Sequence, residues 1–466
     1  KMLVSVKINN CLIYNSETEF SMQANRHYKR FPNNVASFEE LGVLKTAVIF
    51  GPNNAGKTNF VNILAMIKRI FLNQDAHISK NLFNPNPLCE LTTSFIEKGA
   101  EYLFSAKYDA EKREYLYERF AQVHRDRYGN RKETTMLLRD SLAESYICEN
   151  AELEAVMKVA AKNNLFMYLI DTSKVSKLHE IKEILTGFAG RIDIVDMNNI
   201  PIKKTIDMLK LSNQKQEKIK HFILNADISL EDFHYAGEDE LKIQLSDEKT
   251  NMERKPQENS LSAAAPLMEM LHLTSVYNGV KVPSILFDST GTKKIAALAS
   301  YVIDALENNR ILIIDELDNS LHFKLTRGIL ALFNNELNES AQLIATVHDI
   351  SLLDCKTLFR KEQIWFACKD KEHAYLYSLA EFTAEKDNIR DTSDIIEKYK
   401  KGMLGALPEP EFFEICLKKG VKIALGSDSH NLYEVGFFLP HFRFLAELGV
   451  AGRLDEVLYH FPEQAR

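Results

Sequence analysis

The sequence predicts an α/β fold built around a parallel sheet, and three patterns predict it. The dense apolar run Leu44 to Phe50 leads into a glycine-rich turn, after which Phe60, Ile63, Leu64, Ile67, Ile70 and Phe71 recur at helical spacing, giving a strand–turn–helix unit. Ile311 to Ile314 and Leu343 to Thr346 are short apolar strands set apart by helical pattern, as in a parallel sheet covered on both faces. From about Leu91 to Leu138 the pattern alternates in short strands, which predicts an antiparallel β-subdomain beside that sheet.

The remaining elements follow in chain order. Leu3 to Ile8, and part of Cys11 to Met22, alternate apolar and polar residues, as two half-buried antiparallel strands would. Tyr128-Gly129-Asn130 reads as a hairpin turn set among Arg125, Arg127, Arg131 and Lys132, a basic tip suited to nucleic acid or a partner. Residues 141–235 are rich in Lys, Glu, Leu and Ile with helical periodicity and read as an inserted helical lobe. Its lysines, Lys203 to Lys220, interleave with Asp207 and Glu217, which favours a solvated face over a nucleic-acid track. Gly237 to Ser260 reads as a hairpin and loop, and Pro408 and Pro410 punctuate the chain before a last segment. The expected divisions are therefore 1–140, 141–235, 236–408 and 409–466.

Composition narrows the function classes. With 58 Lys and Arg against 65 Asp and Glu, the net charge of −7 argues against a wholesale nucleic-acid coat or a polybasic membrane binder. The six cysteines show no C-x-x-C spacing, so neither a zinc knuckle nor a disulfide framework is indicated. The opening residues lack the apolar core of a signal peptide, and the best apolar stretch, Ile295 to Leu306, is broken by Asp304. A cytoplasmic protein without membrane association is expected.

Gly51-Pro52-Asn53-Asn54-Ala55-Gly56-Lys57-Thr58 satisfies G-x-x-x-x-G-K-[ST] between the predicted strand and helix, the context this phosphate-binding loop requires. Gly51 and Gly56 let backbone N–H groups wrap a β-phosphate, Lys57 reaches the β- and γ-phosphates, and Thr58 supplies a hydroxyl to Mg²⁺. Asn59 continues the same turn. ATP and Mg²⁺ are the expected ligands. The strand Ile311 to Ile314 ends in Asp315 and Glu316, so a strand beside the loop would bring Asp315 to Mg²⁺ and Glu316 to the attacking water as general base.

These residues resemble the heads of ABC and SMC-type ATPases. The resemblance implies a P-loop nucleotide-binding head, and it assigns Ser289 and Gly291 to a signature motif, Asp318 to the D-loop and His348 to the switch histidine. Thr290 and Thr292 depart from the Gly and Gln usual there. Gln74 is the candidate for the Q-loop. Asp315-Glu316-Leu317-Asp318-Asn319-Ser320-Leu321-His322, His348-Asp349 and Gln363-Ile364-Trp365-Phe366 are similar to the RloC-like or AAA_15-type proteins of bacterial abortive-infection and phage-defence loci. That likeness implies an ATPase whose heads dimerise head-to-tail around two ATP molecules and regulate an effector protein. From Lys57 to Asp315 is 258 residues, which an SMC coiled coil would fill; here the heptads are few and irregular, in keeping with a shorter lobe.

Beyond Pro410, Gly426-Ser427-Asp428-Ser429-His430 resembles the final metal motif of PHP phosphoesterases, with Asp428 and His430 as ligands of a second metal. The chain contains no His-x-His pair to begin such a site. A metal-free remnant, a site completed by another segment or chain, and coincidence stay open. The competing functions are accordingly an ATP-gated nuclease or phosphoesterase and a DNA-repair scaffold of the SMC type.

Overall fold

The computed structural model describes residues 1–52, 54–126, 129–211, 213–227, 229–237, 269–369, 373–382 and 394–400. The chain divides into two compact units, Lys1–Asp391 and Thr392–Arg466, and the elements that follow belong to the first.

The chain opens with β1 (Met2–Asn9), β2 (Thr18–Ser21), the small β3 (Val35–Phe38) and β4 (Leu41–Leu44) hairpin, then β5 (Thr46–Phe50) and α1 (Lys57–Phe71). Next come β6 (Leu88–Glu97), β7 (Ala100–Asp109), β8 (Glu114–Arg125), β9 (Arg131–Asp140) and β10 (Ser145–Ile147). These join β1 and β2 in a seven-stranded antiparallel sheet ordered β10-β9-β8-β7-β6-β1-β2. The predicted N-terminal strands thus belong to the β-subdomain, and its strands are long, ten to twelve residues from β6 to β9. Strands β8 and β9 pair antiparallel, and Gly129 N–H donates to the Asp126 carbonyl at 2.8 Å.

The second half builds the other layer. Helices α2 (Ala151–Val159), α3 (Phe166–Leu169) and α4 (Ser176–Ala189) precede β11 (Ile192–Asp196), then α5 (Lys203–Leu211), α6 (Asn213–Ala226) and β12 (Asp232–Tyr235). After the described gap come β13 (Leu273–Tyr277), β14 (Val280–Pro283), α7 (Ser284–Phe287), α8 (Thr290–Glu307), β15 (Ile311–Asp315), α9 (Phe323–Phe333), β16 (Gln342–Thr346), β17 (Ile364–Lys369) and β18 (Ala374–Ser378). The main sheet has the order β11-β15-β16-β5-β17-β18; all neighbours are parallel except β18, which closes one edge antiparallel to β17.

Stretch 141–235 is more than a helical lobe, because β11 lies inside it as the outer strand of the parallel sheet. Asp193 there receives Arg310 Nε and Nη2 at 2.7 and 3.0 Å and Lys204 Nζ at 3.1 Å, so the polar positions of this strand meet charges of opposite sign. Helices α5 and α6 pack Ile206, Leu209, Ile219 and Ile223 against Ala296 and Ala299 of α8. Their lysines are largely paired: Lys204 with Asp304, Lys210 with Glu269, Lys218 with Glu307 and Lys220 with Asp232.

Helix α1 joins the layers, and its last residue, Phe71, meets Phe104 edge-on at 5.0 Å, Phe95 at 5.9 Å and Phe188 of α4 at 6.3 Å. Buried Gln342 fastens β1 to the parallel sheet: its Oε1 accepts from Leu3 N–H at 2.6 Å, and its Nε2 donates to the carbonyls of Leu3 and Leu44, both at 3.0 Å. Arg139 and Glu118, both fully buried, pair at 3.3 Å. Arg139 also donates to the carbonyls of Ala161 and Asn164 at 2.9 and 2.8 Å, tying the chain before α3 to the antiparallel sheet.

Candidate functional site

In a parallel sheet the ligand site lies beyond the carboxyl ends of the strands, and here the candidate residues follow the ends of β5, β15 and β16. The turn after β5 is shaped by close approach. A Cβ on Gly51 would stand 2.4 Å from the Ala367 carbonyl oxygen, and one on Gly56, at φ +104°, 2.5 Å from Ile13 Cδ1. Buried Tyr14 donates its hydroxyl to the Gly56 carbonyl at 3.1 Å. Asn54 takes a left-handed φ of +65°. Pro52, Asn54 and Thr58 are exposed, Ala55 is buried and Asn59 half-buried, while Asn53 lies outside the described residues.

Lys57 begins α1 with its ammonium folded into the loop, donating to the carbonyls of Gly51 at 2.6 Å and Pro52 at 3.1 Å. Burial pushes its pKa down, opposed by the nearby charges of Asp315, Asp318 and Glu316.

Between the loop strand β5 and β15, the strand that carries the two acids, lies β16. That intervening strand brings residues of its own. Thr346, at its end, donates its hydroxyl to Asp315 Oδ1 at 2.5 Å and accepts the Glu316 N–H at 2.7 Å. His348 follows, with Nδ1 3.5 Å from Lys57 Nζ and Nε2 3.9 Å from Glu316 Oε1. Asp318 Oδ2 accepts the backbone N–H groups of His348 and Asp349 at 2.7 and 2.6 Å; its Oδ1 is buried with no partner among the described residues. Lys57, Asp315, Glu316, Asp318 and His348 thus converge.

Glu316 has two further partners that the sequence did not mark. Its Oε2 accepts Asn198 Nδ2 at 2.8 Å and Asn319 Nδ2 at 3.0 Å. The Asn198 bond leads the causes that hold its pKa below the usual glutamate value; burial opposes, and Asn319, His348 and Lys57 add to the lowering.

Ser289 and Gly291 stand at the start of α8. Ser289 caps the helix, accepting the Thr292 N–H at 3.1 Å, and a Cβ on Gly291 would come 3.1 Å from the Ser320 carbonyl. Ser289 therefore bonds within its own helical turn and not to the Gly51–Thr58 loop. Gln74 does not join the site: it follows the far end of the 15-residue α1, and at 1.5 Å per residue that end is about 22 Å from the loop.

The chemistry of the loop fits a nucleotide polyphosphate. Its glycines remove the Cβ atoms that would block a close backbone approach, and an ammonium lies inside it. Exposed Thr58 and the carboxylate of Asp315 are the oxygen donors a Mg²⁺ ion shares with phosphates. No group of three or more His, Cys, Asp or Glu suited to a metal occurs among the described residues. Asp428 and His430 lie outside them, and the second metal gains no support.

Arg125 turns back onto buried Glu101, with Nε 2.8 Å from Oε2, and Arg131 lies 3.3 Å from Glu133. Arg127 and Tyr128 are outside the described residues. Among the described residues no helix is long and apolar enough to cross a membrane.

Fold and site together define a P-loop ATPase-type nucleotide-binding domain. The family model described as "AAA domain, putative AbiEii toxin, Type IV TA system" matches residues 47–354, more than half of the chain, and the chain belongs to that family. No curated protein matches it. Among solved structures it is similar to the SMC head domain from Thermotoga maritima, with 11% identity, a TM-score of 0.38, and coverage of 81% of this chain and 99% of that one. It is also similar to an SMC head bound to the C-terminal winged-helix domain of ScpA, with 13% identity, a TM-score of 0.42, and coverage of 81% and 97%.

Proposed function

We propose that the chain binds Mg-ATP on Gly51–Asn59 and hydrolyses it, with Glu316 as general base and Lys57 and His348 facing the γ-phosphate. The observation that carries this reading is the continuous line from Lys57 through His348 to Glu316, with successive gaps of 3.5 and 3.9 Å. That line supports a carboxylate acceptor for the water proton in the same cleft as an ammonium and an imidazole. Thr58 and Asp315 would hold Mg²⁺, which supplies positive charge to the phosphate oxygens. Glu316, kept ionised by its amide partners, accepts the proton of the attacking water, while Asp318 fixes the backbone that carries His348.

Two heads are proposed to close head-to-tail around ATP, Ser289 of each reaching the nucleotide of the other. The reading is supported by Ser289 bonding within its own helical turn and not to the Gly51–Thr58 loop, and by exposed Leu286 and Phe287 just ahead of buried Asp288. Loss of the γ-phosphate contacts then opens the pair, giving a switch with a physical cause. We further propose that this switch works in the cytoplasm as sensor or regulator of an anti-phage defence system, acting on an effector protein. The family description, with its putative toxin of a Type IV TA system, supports that setting. Phosphate release from ATP is the test: Lys57→Ala should abolish nucleotide binding, and Glu316→Gln should retain binding while slowing turnover at least about 100-fold. Unchanged turnover in Glu316→Gln overturns the assignment.

A further inference from the structure

We infer that Asn198 is a positioning residue for the Glu316 carboxylate, forming with Asn319 a two-amide clamp that Lys294 ties to helix α8. The inference rests on the reading of Glu316 as general base. Its origin is the register of the sheet. Strand β11 runs parallel to β15 with Asp196 opposite Asp315, so the chain just past β11 lies alongside the chain just past β15. Glu316 follows the strand at a left-handed φ of +58°, and its carboxylate meets Asn198.

Asn198 is held where it is needed. Met197 before it is fully buried and donates its N–H to the Asp315 carbonyl at 3.1 Å. Asp196 accepts the N–H of Asn198 at 2.8 Å through its side chain and that of Asn199 at 3.0 Å through its carbonyl. From this turn the Asn198 amide works at both ends: Nδ2 donates to Glu316 Oε2 at 2.8 Å, and Oδ1 accepts from Asn319 Nδ2 at 2.7 Å. Asn319 Nδ2 also donates to the same Oε2 at 3.0 Å, and its Oδ1 accepts Lys294 Nζ at 3.0 Å.

The arrangement has a chemical consequence. Both amide donors occupy Oε2, which leaves Oε1, on the His348 side, as the oxygen for water. Because Lys294 lies on α8, the helix that Ser289 begins, movement of that helix bears on the orientation of the base.

The experiment measures kcat, KM for ATP and thermal stability in full-length wild-type protein, Asn198→Ala, Asn198→Asp, Glu316→Gln and the neighbouring control Asn199→Ala. Asn198→Ala should lower kcat about tenfold with KM within about twofold. Asn198→Asp should lower kcat further, since it replaces a donor with a like charge. Asn199→Ala should match wild type. A purely structural role would lower thermal stability and leave the kcat of the folded protein in place. If Glu316→Gln stops turnover while both Asn198 variants keep the wild-type kcat, the positioning role is overturned and the general base stands. If Glu316→Gln turns over normally, the base assignment fails and the inference with it.

Discussion

The two glycines of the phosphate loop should tolerate alanine very unequally, because their neighbours can yield to different degrees. On Gly51 a methyl would sit 2.4 Å from the backbone oxygen of Ala367, about 1 Å inside ordinary contact. Ala367 lies within β17, flanked by β5 and β18 and hydrogen-bonded in the sheet, so it cannot retreat without disturbing the ladder. Overpacking against a close-packed backbone costs about 3 kcal/mol. On Gly56 the methyl's short contact is with Ile13 Cδ1, at 2.5 Å, the end of a half-buried flexible side chain, while Tyr14 Oη stands at an ordinary 3.4 Å. The positive φ then dominates, at about 1–2 kcal/mol. Urea denaturation of both variants, alone and combined with Ile13→Ala, reads the difference. Gly51→Ala should cost at least about 1 kcal/mol more than Gly56→Ala, and Ile13→Ala should couple favourably, by about 1 kcal/mol, with Gly56→Ala only. Equal costs, or no coupling at Gly56, would refute the reasoning.

Two further predictions concern the frame. Arg139→Met leaves Glu118 buried and stripped of its charge partner, and burial already pushes that carboxyl up. The variant should lose about 3 kcal/mol at pH 8 and less at pH 5, where Glu118 can take a proton; equal losses by denaturation at both pH values would contradict this. Arg310→Met removes the fork that, against the opposing effect of burial, keeps the Asp193 pKa below its usual 3.8. A depressed folded-state pKa stabilises above the unfolded value, so the variant should be less stable by on the order of 2 kcal/mol at pH 7, and the difference should close as pH falls below that value. A difference that persists in acid would remove Asp193 from the account.

The loop strand, the loop and α1 were legible because their determinants are local: an apolar run, two glycines and a helical stripe. Asp315 and Glu316 could be read as a strand end. That β16 separates them from β5 could not, since strand order depends on contacts between distant segments, and with it Thr346 went unnoticed. Strand β11 was hidden because its polar positions, Asp193 among them, suit helix and strand alike until Arg310 and Lys204 are seen beside them. Asn198 looks like an ordinary turn residue, and only the parallel register gives it a neighbour in Glu316. In sequence Arg125 reads as part of a basic tip, and only the pairing of β7 with β8 gives its guanidinium a partner in Glu101.

We propose that ATP held at Lys57 and hydrolysed through Glu316 joins two copies of the chain. The decisive measurement is light scattering coupled to size exclusion on Glu316→Gln and Lys57→Ala, with and without Mg-ATP. Glu316→Gln should double in mass only with Mg-ATP, and Lys57→Ala should not respond. A Glu316→Gln mass that ignores ATP, or a Lys57→Ala protein that doubles with it, overturns the ATP-joined dimer.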